Sequence, residues 1–190
     1  RRLNRGLGIP ADILIEDVET DCAVAEQEPE MDFTRFPLRE MLERGCFGDF
    51  EGTAQRLKEY AEDLIRKFMQ DLLPKQVSPA FLCAPMHQRG DRQADEMALL
   101  AWRMCVLRQA RAVHTVREYK HGIITPAWLR ELAKLSTCDE GPKLAREYLA
   151  RHGITLVIEK HFKRTFLDGA AMLDNDRPIV ALTLRHDRFD

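Results

Sequence analysis

Residues 153–190, GITLVIEKHFKRTFLDGAAMLDNDRPIVALTLRHDRFD, decide the reading of the fold. Aliphatic and β-branched runs alternate here with polar punctuation, which is the pattern of short strands rather than of a helix. A strand is predicted over 154–159, a second extended stretch over 165–173, and a third strand over 178–184, with Asp174, Asn175 and Asp176 as the turn between the last two. Asn and Asp tolerate the left-handed backbone that a tight turn demands. The three pieces make a small β-meander. Alternation in the last run puts Val180, Leu182 and Leu184 on the buried face and turns Thr183 and Arg185 outward. Asp168 and Gly169 read as bulge or hairpin chemistry inside the second run, the alternative being an Asp168 carboxylate turned toward a metal site. A helix is expected after the third strand, where His186, Asp187 and Arg188 could orient it and Asp187 or Asp190 would suit its N-terminus.

Upstream the periods change from two to between three and four. In 52–73, Ala54, Leu57, Ala61, Leu64, Phe68 and Leu72 form one stripe, with Glu62 and Arg66, and Asp63 and Lys67, paired across a turn on the other side. Pro74 ends it. Before it, Pro37 opens a short helix that buries Leu38, Met41 and Leu42, with Gly45 at its C-terminal turn. A third helix is predicted over 92–113. Its centre, MALLAWRMCVLRQA, is apolar nearly all round, the signature of a bundle hub, with Trp102 as a core aromatic and Arg103, Arg108 and Arg111 as rim or ion-pair residues. Thr125 and Pro126 start a fourth helix that buries Trp128, Leu129, Leu132, Ala133 and Leu135. A fifth, over 142–152, buries Leu144, Ala145, Tyr148 and Leu149 before Gly153 ends it. The fold class is therefore α+β, mainly α: a helical bundle followed by a small meander.

A net charge of −2 on 190 residues exerts no global pull toward nucleic acid or membrane. The charge is uneven along the chain. Between Gly6 and Thr34 there is no Lys or Arg, while Asp12, Glu16, Asp17, Glu19, Asp21, Glu26, Glu28, Glu30 and Asp32 are acidic, so the stretch reads as a solvated linker. The five Cys (Cys22, Cys46, Cys83, Cys105, Cys138) form no C-x-x-C; Cys46, Cys83 and Cys105 lie among apolar residues and read as reduced core side chains. No apolar run reaches the length of a membrane span, which makes the cytoplasm the expected compartment. Phosphate-binding and serine-hydrolase signatures are absent. His161 with Lys160, Lys163 and Arg164 forms a small basic cluster, either a solvated loop or an anion site.

Several phrases, taken in order, resemble one kind of protein. DFTRFPLREMLERGCF, ALLAWRMCVLRQA, ITPAWLRELAKLS, GPKLAREYLARHGI, LDGAAM, RPIVALTLR and HDRFD are similar to HigA-like antitoxin regulators of the lambda-repressor-like (XRE) family fused to an ImmA/IrrE-type metallopeptidase domain. RRLNRGLGIPADILI resembles the last helix of the helix-turn-helix domain of such regulators. The resemblance implies four regions: a helix-turn-helix remnant in 1–15, an acidic linker in 16–34, a helical connector in 35–153, and in 154–190 the start of a zincin-like domain whose H-E-x-x-H helix would follow Asp190.

The function it implies is a bacterial DNA-binding transcriptional regulator of the toxin–antitoxin type, working as a cytoplasmic homodimer on operator DNA, with a protein toxin or repressor as a further partner. The other implied function is a zinc-dependent endopeptidase that cleaves a repressor-like protein. Arg1, Arg2 and Arg5 would touch DNA phosphate, although basic residues at a chain end are ordinarily just solvated. No catalytic, cofactor-binding or metal residue carries over. A site of this class needs two His four apart with a Glu between, and none of the six His (His87, His114, His121, His152, His161, His186) has a partner at that spacing. Zinc is implied only for a longer protein.

Overall fold

The computed structural model describes residues 31–72, 86–88 (backbone), 94–113 and 117–183. The chain divides between Met31 and Asp32. The helix-turn-helix remnant and nearly all of the acidic linker, together with Cys22, Cys83 and Leu184 to Asp190, lie outside the described residues.

The longest helix organises the second unit. α4 (Glu96–Ala112) starts where the Asp95 side chain accepts hydrogen bonds from the main-chain N–H groups of Met97 and Ala98, satisfying donors that the first turn cannot pair internally. It buries Ala98, Leu99, Ala101, Trp102, Met104, Cys105, Val106, Leu107 and Ala110, so it is the hub its composition predicts. Arg103, read as a rim or ion-pair residue, is buried inside the body, which removes the rim position. Ahead of α4 come α1 (Leu38–Glu43), α2 (Ala54–Glu59), α3 (Ala61–Leu72) and a three-residue strand, β1 (Met86–Gln88). After α4 come α5 (Pro126–Lys134), α6 (Gly141–Arg151), β2 (Thr155–Ile158), β3 (Leu167–Asp174) and β4 (Arg177–Leu182).

The helix expected across 52–73 is broken at Tyr60, which separates α2 from α3. The kink rotates the stripe: Leu57, Ala61, Ile65, Phe68 and Leu72 are buried, Leu64 is half-buried, and Ala54 is exposed. α5 is also more peripheral than its pattern suggests. Trp128 is buried, but Leu129 is 50 % exposed and Ala133 is exposed, because only one narrow stripe of this short helix meets the body.

The sheet is not a meander. Its order is β1-β3-β4-β2, with β3 and β4 an antiparallel hairpin, β1 antiparallel to β3, and β2 parallel to β4. The link between β2 and β3 carries the chain past β4 and is pinned as it goes. Phe162 and Thr165 on it are fully buried, and Arg164 O accepts from Asp95 N at 3.1 Å. The hairpin turn has both Asn175 (φ 49°) and Asp176 (φ 62°) left-handed, as a two-residue turn between right-twisted strands requires. That turn pairs Asp174 with Arg177, which puts Ile179 opposite Met172 and Ala181 opposite Ala170.

The register corrects the expected face. Ile179 and Ala181 are the buried residues of β4, while Leu182 is 45 % exposed and Val180 packs on the other side. A sheet covered on both faces carries apolar residues at every position, so alternation alone does not identify the inner one. On the Val180 side lies a second apolar cluster of Trp128, Leu149 and Ile154, joined by Tyr119, Ile123, Leu132, Tyr148 and Leu156.

The helices and the sheet are fastened by polar contacts across position 153, most of them part-buried. Arg111 forks onto Asp174 through Nε (3.0 Å) and Nη2 (2.7 Å), and its Nη1 donates to Leu72 O. Arg177 donates to the carbonyls of Ala110 (3.1 Å) and Val113 (3.3 Å), closing the C-terminal end of α4. Trp102 Nε1 donates to Glu159 O at 3.1 Å.

Candidate functional site

β2 is the last strand on its side of the sheet, bonded to β4 alone among the described strands. In a parallel pair, alternate residues of an edge strand aim both main-chain groups at the neighbour, and the residues between aim theirs outward. Glu159 N donates to Leu182 O at 3.0 Å, which sets the phase. Thr155 and Val157 therefore face β4, while Leu156 and Ile158 present N–H and C=O to the open edge. No main-chain hydrogen bond ties Leu156 or Ile158 to another element among the described residues.

A cavity of about 560 Å³ lies against this edge. The last turns of α4 supply one wall with Gln109, Ala112 and Val113. Arg146, Ala150 and Arg151 of α6 supply the other, Ile154 to Val157 the floor, and Arg117 a corner. No acidic side chain among the described residues lines it. Arg151 makes an exposed 3.6 Å pair with Glu147, whereas Arg117 and Arg146 carry no ion pair among the described residues. Thr155 is 2 % exposed, and its hydroxyl has no hydrogen-bond partner among the described residues. A buried hydroxyl in that state is costly, so a partner entering the groove would relieve it. The arrangement offers an apolar floor, unpaired strand groups and positive charge: the chemistry of a binding groove.

Gln109 joins the groove to a buried polar network. Its amide donates to Glu159 Oε2, and Arg44 Nη1 donates to Glu159 Oε1 at 2.5 Å. Arg44 also donates to the carbonyls of Lys160 (2.7 Å) and His161 (3.0 Å) and lies 3.6 Å over the Phe162 ring. A fork geometry and a flat cation suit such a multiply bonded position. Beside it Cys46 and Cys105 bring their sulfurs within 3.4 Å in the core. The hydrogen bond to Cys46, reinforced by burial, pushes the Cys105 thiol far up, so it stays protonated. Asp174 raises the Arg111 guanidinium above its ordinary value through their hydrogen bonds, partly opposed by desolvation.

The residues singled out from sequence fall as follows. Asp168 is the extra residue of a bulge: β1 pairs His87 with Gly169 and then Gln88 with Leu167, passing over it. Its carbonyl accepts from Thr183 N at 2.9 Å. In the basic cluster, the carbonyls of Lys160 and His161 serve Arg44, and Lys163 N donates to Glu40 Oε2 at 3.4 Å, so this loop is tied to α1. Arg1, Arg2 and Arg5, and His186, Asp187, Arg188 and Asp190, are outside the described residues. Sequence reading missed the groove altogether. Arg117 comes from a loop, Arg146 from a helix and Thr155 from a strand, and no linear spacing announces that they meet.

Among the described residues no group of three or more His, Cys, Asp or Glu could hold a metal ion. No helix among the described residues is long and apolar enough to cross a membrane. No family model, curated protein or solved structure matches the chain.

Proposed function

We propose that this chain belongs to a DNA-binding transcriptional regulator of the HigA-like toxin–antitoxin type, acting in the cytoplasm as a homodimer on operator DNA. One observation supports the reading. Several of the phrases that carry the resemblance fall on helices and strands of the packed body, at 38–43, 98–110, 126–136, 141–151, 167–172 and 177–182. In this reading the body of 32–183 is where a protein partner acts, and engagement there changes operator affinity. Arg1, Arg2 and Arg5 are proposed phosphate contacts within the DNA-binding part.

The test is a mobility shift with the protein encoded by the whole reading frame and the DNA upstream of its own gene. Binding should weaken steeply with salt, as counterion release demands. No shift at low salt would overturn the proposal.

A further inference from the structure

We infer that the open edge of β2 takes an extended acidic peptide segment, which adds to the sheet as a further strand beside β2. Three independent features converge on one groove. Leu156 directs its unpaired main-chain groups into it and Ile158 continues the same open edge, and these are the donors and acceptors that strand addition consumes. Arg117, Arg146 and Arg151 stand around it with no acidic residue among the described lining, so the occupant carries negative charge. Thr155, buried with an unpartnered hydroxyl, supplies a polar contact at the base. The floor beside it is apolar, from Ile154, Leu156 and Val157, which suits a segment alternating aliphatic with acidic residues. A free phosphate or carboxylate would use the arginines and leave the strand edge unpaired; a segment of peptide satisfies both. This inference stands apart from operator binding, and its assay contains no DNA.

The full chain is titrated into a fluorescein-labelled peptide of alternating valine and glutamate, followed by anisotropy. Binding is expected, with lysine in place of glutamate abolishing it. Arg117→Glu and Arg146→Glu should each weaken it about tenfold, with unchanged circular dichroism because both side chains are exposed. N-methylation of one alternate set of peptide amides should abolish binding, and methylation of the other set should not, since only one set faces β2. Equal binding of both methylated peptides, or full displacement by inorganic phosphate, would reduce the site to a simple anion site and overturn strand addition. Absence of binding, or equal binding of the lysine peptide, would overturn the proposal outright.

Discussion

At Asp174 a single carboxylate receives both prongs of Arg111 and a third contact from Arg177 at 3.5 Å, in a buried position. Removing one partner of such a pair leaves the other's charge uncompensated. Asp174→Asn should therefore destabilise by about 3 kcal/mol, near the low end for a broken buried pair, read from urea midpoints. The exposed Glu62–Arg66 pair at 2.8 Å is the contrast, and Glu62→Ala should cost less than about 0.5 kcal/mol. Trp102→Phe keeps most of the ring but leaves Glu159 O without its donor, an expected loss of about 1–3 kcal/mol in the same assay. The thiols differ by environment. In a background of Cys22→Ser and Cys83→Ser, iodoacetamide at pH 8 should modify exposed Cys138 promptly. Cys105, with its thiol held protonated by its hydrogen bond to Cys46 and by burial, should react only on unfolding. Rapid modification of Cys105 in the native protein would contradict the packing described.

Elements show where sequence reading succeeds and where it stops. Caps are local chemistry and are legible: Thr125 accepts from Trp128 N at 3.1 Å with Pro126 at the first helical position. The Asn175-Asp176 turn is legible for the same reason. Gly153 ends α6 with φ at 75°, and there a Cβ would also lie 2.4 Å from Tyr119 N. Gly153→Ala should thus cost at least about 2 kcal/mol, from left-handed strain plus the collision. That corresponds to a melting temperature lowered by about 4–8 °C for a chain of this size. The break at Tyr60 was not legible, because the apolar stripe continues through it as Leu57, Ala61, Ile65 and Phe68. The buried face of β4 was not legible either. Pro178 to Leu182 are apolar at every position, and only the hairpin register chooses Ile179 and Ala181 for the side facing the core. The parallel placement of β2 depends on Phe162 and Thr165 burying the crossover, a long-range event with no local signal.

For the molecule as a whole, the unit beginning at Asp32 binds helices and strands into one body, with the contacts of Arg44, Trp102 and Arg111 all spanning position 153. A chain ending at Gly153 would expose the face of α4 that the sheet covers. It should lose the single cooperative thermal transition expected of the full chain and bind a hydrophobic dye. Retention of a sharp transition would show that the helices form a separate domain. The same architecture leaves β2 as the open side of the sheet, with Arg117 and Arg146 beside it. The candidate site was invisible in sequence because it is assembled from a loop, two helices and a strand edge. The most direct test of that edge is residue-resolved amide hydrogen exchange, with and without the valine–glutamate peptide. Leu156 and Ile158 should exchange rapidly in the free protein and slowly with peptide bound, while Val157 and Glu159, bonded to β4, stay slow throughout. Slow exchange at Leu156 and Ile158 in the free protein would mean that the edge is already covered, and the account of this groove would be contradicted.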